Sequence, residues 1–184
     1  MYSLALTELA VCWVLWVLVF VRRIVADPKR PSQVTLSSAR WGMLLQALAY
    51  FVALSFRLPR QAVGPGRLAG SMICGPLAVA LAWAAVRHLG KQWRLNAGLY
   101  PDHELVRTGP YRIVRHPIYA SMLAIFLGMG LLITPWIRFG IALAVFLAGT
   151  EVRVQVEDGL LASRFGEEFA KYKRRVRAYV PLVR

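Results

Sequence analysis

Five apolar runs dominate this 184-residue chain, at 3–21, 41–57, 68–87, 118–134 and 136–152, and they constrain its fold more than anything else. A helix needs about 20 predominantly apolar residues to cross the hydrocarbon core of a bilayer. Backbone in lipid has no water to bond, so each such run must close its own hydrogen bonds as a helix. The first and third runs are clear spans. The second is short and stops at Arg57, and the last two, separated by little more than Pro135, predict a tight hairpin. A soluble domain carries about 25% charged residues; here the figure is 17%, with 58% hydrophobic residues. The expected fold class is therefore an all-α integral membrane protein of about five transmembrane helices in one domain, 1–184. The N-terminus is apolar from Ser3, with no basic stretch ahead of it and no small-x-small cleavage pattern, so it reads as a retained span.

The charges orient the spans. The segments 22–40 and 87–116 and the tail from 153 hold 19 of the 23 Lys and Arg. The opposite side keeps Arg57, Arg60, Arg67 and Arg138. Five spans put the three basic segments on one face, and basic loops stay in the cytoplasm. The expectation is N-terminus out and C-terminus in, with "RLPRQAVGPGR" (57–67) as an outer turn rich in Pro and Gly. The net charge of +14 has the same explanation and does not point to nucleic acid. Nineteen Arg against four Lys suggest a GC-rich bacterial genome, hence an inner membrane. Cys12 and Cys74 lie within apolar runs and read as packing residues. There is no CxxC and no His/Cys cluster with zinc spacing, so no metal site is expected.

Two polar segments interrupt this pattern. "LGKQWRLNAGLYPDHELVRTGPYRIVRHP" (89–117) is too polar to cross. Its Gly90, Gly98, Pro101, Gly109 and Pro110 break any long helix. Its Trp93, Leu95, Leu99, Tyr100, Leu105, Tyr111 and Ile113 argue that it folds back over the mouth of the bundle. Pro117 suits the first helical position, which puts Arg115 and His116 at the entrance of the fourth span and Tyr119 one turn in. Singly these residues read as interfacial anchors. Together they suit an anionic or nucleotide-like ligand, through the two-pronged grip of Arg and the free N–H groups of a helix start. In the tail, Arg153 and Glu157 are four apart and share a helix face. They read either as a structural pair or as a site, since a carboxylate at the end of a span is a functional hypothesis by default. Leu160, Leu161, Phe165, Phe169 and Tyr172 recur at helical spacing opposite charged residues, predicting an amphipathic helix along the inner surface. The basic cluster Lys171–Arg177 suits anionic headgroups.

"DHELVRTGPYRIVRHPIY" followed by "RVQVEDGLLASRFGEEFAKY" resembles the isoprenylcysteine carboxyl methyltransferases and the related phospholipid methyltransferases. His103, Leu105, Val106, Gly109, Tyr111, Arg115, His116, Pro117 and Tyr119 match the first block of the family pattern. Arg153, Glu157, Leu161, Phe165, Gly166, Phe169 and Tyr172 fall along the second. Ser121 stands where the family commonly has Gly, and Asp158 where it has the second of two Glu. The resemblance covers about residues 90–180.

The resemblance implies S-adenosylmethionine as methyl donor, held at the cytoplasmic ends of spans four and five. It divides the chain into three N-terminal spans, 1–88, and a cofactor-binding and catalytic part, 89–184. The implied donor-binding set is His103, Leu105, Gly109, Tyr111, Arg115, His116, Tyr119 and Glu157, with Arg115 on the donor's carboxylate. The implied catalytic pair is Arg153 and Glu157. The acceptor is expected to be a lipid-like or prenylated small molecule, most simply a prenyl-cysteine carboxylate, entering sideways from the bilayer; no obligate protein partner is expected. Three readings compete: N-methylation of a phospholipid headgroup, an NADPH-dependent membrane reductase, and a membrane scaffold without catalysis.

Overall fold

The computed structural model describes residues 1–26, 34–35, 38–55, 63–93, 98–99 and 102–181. Five helices carry the fold: α1 (Tyr2–Ala26), α2 (Ala39–Leu54), α3 (Pro65–Leu89), α4 (Pro117–Ile133) and α5 (Trp136–Arg175). Each apolar run forms its helix. Much of the turn expected at 57–67 lies outside the described residues, as do Lys29, Arg30, Arg57, Arg60, Arg94, Leu95, Tyr100, Pro101 and Arg184.

α1, α3 and α5 are long and apolar enough to cross a membrane. α2 and α4 have 16 and 17 residues, or about 24–26 Å at the α-helical rise, which falls short of a full hydrocarbon core. Leu4, Val11, Val14, Leu15 and Leu18 on α1, Trp41 and Phe51 on α2, and Ile137 and Ile141 on α5 face outward. An apolar surface this continuous is stable against lipid rather than water. The protein is an integral membrane protein.

The expected hairpin is tight only at its turn. α4 packs chiefly on α3, and α5 on α2. A layer of rings separates α4 from α5: Phe126 stacks on Phe146 with centroids 4.6 Å apart, and Tyr50 meets both edge-on. Pro135 starts the divergence, because it ends α4 and opens α5. The α2–α5 contact is close instead because both sides are small: a Cβ at Gly149 would lie 2.7 Å from the Gly42 carbonyl oxygen.

At the far end Arg67 donates to the carbonyls of Gly130, Leu131 and Thr134 and lies over Trp136. It thereby caps the end of α4, where the last carbonyls run out of helical partners; the Gly130 carbonyl also accepts from the Thr134 N–H. Arg23, Lys91, Arg107, Arg115 and Arg153 gather at the opposite end through contacts with Gly90, Asp102, Glu168, Asp158 and Gln46. That division matches the one expected from the charges.

At that end the polar segment makes a 3₁₀ turn at Gly90–Gln92 and another at Gly109–Arg112. A two-residue antiparallel pairing joins β1 (Val34–Thr35) to β2 (Gly98–Leu99). α5 runs on for 40 residues, with a break at Gly166, whose φ of +49° suits glycine. Beyond the break the amphipathic stretch is present, but it turns inward as well as outward. Phe169 and Tyr172 are buried in protein, and the Tyr172 hydroxyl donates to the Tyr111 carbonyl at 2.6 Å. Arg107 pairs with Glu168 at 2.9 Å. The tail is thus fastened to the loop, where the sequence pattern had suggested a helix lying along the membrane surface.

Candidate active site

Pro117 opens α4 and His116 precedes it with a non-helical backbone. The chain entering α4 is extended, so its N–H groups need partners. The returning tail provides them: Arg115 and His116 donate their backbone N–H groups to the carbonyls of Arg177 and Ala178, both at 2.7 Å. The side chains of Arg115 and His116 are thereby fixed under the last turns of α5.

Asp158 is the hub. Its carboxylate, 5% exposed, accepts from Arg115 Nη2 at 3.0 Å and lies 2.9 Å from His116 Nε2 and 3.0 Å from Lys173 Nζ. Arg115 also donates through Nη1 to the Val176 carbonyl. Glu157, next to it, accepts from the Tyr119 hydroxyl and lies 3.4 Å from His116 Nδ1. His116 bridges the two acids and stacks on Tyr119 at 5.5 Å. Burial opposes charge on all three groups. For His116 the hydrogen bonds to Asp158 and Glu157 outweigh it and raise the pKa above 6.5. For Glu157, His116 together with the nearby Arg153 charge and the Tyr119 hydroxyl outweighs burial and lowers the pKa. For Asp158, His116 with Arg115 and Lys173 does the same and holds it well below the usual carboxylate range. The site holds two carboxylates at neutral pH, and they favour the charged form of the imidazole between them.

Arg153, one turn before Glu157 on α5, does not bridge to it. Its guanidinium lies 4.7 Å over the Tyr119 ring and donates to Gln46 Oε1 at 3.0 Å. Among the described residues no carboxylate oxygen comes within 4.0 Å of it, and its Nε is buried without a hydrogen-bond partner.

A cavity of about 440 Å³ opens between these groups and α1, within the range of small-molecule sites. One wall is polar, with His103, Glu104, Arg115, His116, Arg153 and Glu157. The other is apolar, with Trp16, Phe20, Ile24 and Met122. Of the residues expected to act, His103, Leu105, Tyr111, Arg115, His116, Tyr119, Arg153 and Glu157 all line it. Gly109 does not. It adopts φ +58°, and a Cβ there would meet the His88 ring at 2.4 Å, so it serves the fold of the loop against α3. Arg115 lines the wall with its charge already met by Asp158, and only Nε lacks a partner.

The sequence reading missed Gln46, Gln92, Trp93, Trp16 and Phe20. Gln92 is 4% exposed, and its Oε1 is buried and unpartnered at the cavity wall. Gln46 carried a signal: it is the one amide in the second apolar run, and polar groups within a span are costly to keep without a task.

A helical membrane bundle with a polar cavity at one mouth, built from the entrance of one span and the exit of another, is the class this structure defines. A profile of the "Isoprenylcysteine carboxyl methyltransferase (ICMT) family" matches residues 72–163, and the chain belongs to that family. It is 32% identical over 134 residues to the "Cobalt-zinc-cadmium resistance protein CzcN" of Cupriavidus metallidurans, covering 71% of this chain and 61% of that protein. It is 30% identical over 82 residues to the "Protein-S-isoprenylcysteine O-methyltransferase" of Schizosaccharomyces pombe, 45% of this chain and 35% of that one. With the protein of the same name from Saccharomyces cerevisiae it shares 32% over 82 residues, 45% and 34% of the two chains. The chain thus spans about three fifths of the first relative and about a third of the other two.

Proposed function

We propose that the protein is an S-adenosylmethionine-dependent methyltransferase that esterifies the carboxylate of a lipid-like acceptor, of prenyl-cysteine type, at the cytoplasmic face of the membrane. The observation that carries this is Arg153: a partly buried cation on the cavity wall, its Nε buried without a hydrogen-bond partner and, among the described residues, no carboxylate within bridging distance. Burying a charge without a partner is costly. An acceptor carboxylate would complete the pair, whereas a cationic amine would be repelled. This favours carboxyl over headgroup N-methylation, which would also require a base; Glu157 is held ionised by His116 and Tyr119 and is a weak one.

The residues present fit the donor. S-adenosylmethionine supplies an activated methyl group on a cationic sulfonium. Tyr111, Tyr119 and the Glu157 carboxylate line the polar wall and suit that cation, and the flat ring of His116 suits the adenine. His103, the Leu105 backbone and the unpartnered Gln92 Oε1 suit the adenine and ribose edges, and Arg115 Nε suits an anionic oxygen. The chain's own part is to hold both reactants close, aligned and dry. The apolar wall of Trp16, Phe20 and Ile24 suits the acceptor's hydrocarbon chain arriving from the bilayer. With the basic end cytoplasmic, the N-terminus lies outside and the C-terminus inside, in a bacterial inner membrane on the compositional argument above.

Calorimetric titration of the detergent-purified protein with S-adenosylmethionine, its demethylated product and NADPH tests the donor. Binding of the first two, weakened in Glu157→Gln, is expected; binding of NADPH alone would move the protein to the reductases. Radiolabelled methyl transfer to N-acetyl-S-farnesylcysteine, with phosphatidylethanolamine as the rival, tests the acceptor.

A further inference from the structure

We infer that Gln46, on the second membrane helix and outside the residues matched by the family profile, is a positioning residue that aims Arg153 at the acceptor carboxylate. The inference rests on the reading of Arg153 given above. α2 buries one stripe, Ala39, Gly42, Gln46, Ala49 and Ala53, and this stripe packs on α5. Gln46 is 3% exposed, so both ends of its amide must be bonded within the protein. The orientation follows from the neighbours. Thr150 gives its hydroxyl proton to the Phe146 carbonyl at 2.9 Å, so toward Gln46 it acts as acceptor and takes the Nε2 proton at 2.9 Å. Oε1 is left facing Arg153, and Nη1 donates to it at 3.0 Å.

Gly42 completes the cradle. A Cβ there would lie 2.4 Å from Arg153 Cγ, so the aliphatic stem of Arg153 runs across the glycine while its head is tied by Gln46. The tether is neutral. An acid at this position would hold the guanidinium equally well but cancel its charge; an amide holds it and leaves the charge for a ligand. Stem, head and charge state of the acceptor-facing cation are therefore set by a helix that otherwise reads as a plain membrane anchor.

Three proteins test this: wild type, Gln46→Met, which keeps the length and loses the hydrogen bond, and Gln46→Glu, which keeps a bond and neutralises the cation. The first readout needs no acceptor. Nitrogen NMR of the arginine guanidinium groups in micelles, with the Arg153 signal assigned by its loss in Arg153→Lys, should show hindered rotation of Nη in wild type and free rotation in Gln46→Met. The second readout is the preference for N-acetyl-S-farnesylcysteine over its neutral carboxamide. It should fall about tenfold in Gln46→Met, the worth of one hydrogen bond to a charged group, and further in Gln46→Glu. S-adenosylmethionine affinity should stay within about twofold in both, a result that general misfolding would not give. Equal Nη rotation in wild type and Gln46→Met, or an acid preference that survives in Gln46→Glu, overturns the inference. A wild type with no acid preference sinks the carboxylate reading, and the NMR comparison then still decides whether the tether exists.

Discussion

At the scale of single residues, Asp158 concentrates the electrostatics. Three basic side chains, Arg115, His116 and Lys173, meet on one buried carboxylate. Removing one partner of a buried pair is costly because the other charges stay behind, by about 3–5 kcal/mol. Asp158→Asn should therefore lower thermal stability in detergent far more than Glu168→Gln, whose pair with Arg107 is half-exposed. His116 gives the pH dependence. Its folded pKa lies above the unfolded value of about 6.5. Its contribution is full below that value and fades as pH rises through the folded pKa. Wild-type melting temperature should fall with pH above about 6.5, and His116→Gln should flatten that slope; a wild type with no such slope would contradict the double acid contact. Gly109→Ala is the milder change. The His88 ring lies at the surface and can swing aside, so the cost is chiefly the positive φ, about 1–2 kcal/mol, read as a lower melting temperature.

At the scale of elements, helix–helix distance follows the size of what lies between. α2 and α5 approach until the Gly42 and Gly149 backbones touch, while α4 and α5 stand apart around Phe126 and Phe146. Small residues permit close approach of membrane helices. A Cβ at Gly149 would meet backbone on α2, at the Gly42 oxygen and the Gln46 nitrogen, and backbone cannot swing away. Gly149→Ala should thus separate the helices, lowering stability by about 1–3 kcal/mol and weakening acceptor binding through Gln46. Gly140→Ala, which meets open space, is the control, and thermal unfolding in detergent compares them. The tail is an element of the site as well. A stop after Arg175 would remove the carbonyls that receive the Arg115 and His116 N–H groups, and donor binding should be lost in calorimetry even if the bundle persists.

At the scale of the whole molecule, the basic residues and the cavity share one end of the bundle, and Arg67 and Arg138 lie at the other. Thiol labelling in intact cells, on a background with Cys12 and Cys74 replaced by Ala, checks the orientation. A cysteine at Ser3 should react with a membrane-impermeant reagent, and one at Ser163 only after lysis; the reverse pattern would turn the protein over.

Much was legible before any coordinates, because lipid leaves the chain few choices. Apolar runs in a bilayer must be helices, so each of the five runs forms a helix, although α5 continues to Arg175, far beyond the apolar run that ends at 152. The basic segments sorted to one face, and the two polar blocks marked their own mouth of the bundle. Arg115, His116, Tyr119, Arg153 and Glu157 stood out as polar groups at the ends of spans, and His103 and Tyr111 through the family resemblance alone; all seven line one cavity. Tertiary structure alone decided the rest. Whether Arg153 pairs with Glu157 depends on a third side chain, Gln46, over 100 residues away in the chain. Whether Arg115 is free or neutralised depends on how far α5 runs before the Gly166 break returns the tail. Periodicity is a local property and fixes which face a residue occupies. A hydrogen bond between distant helices is set by how closely their backbones pack, and no short window of sequence contains that distance.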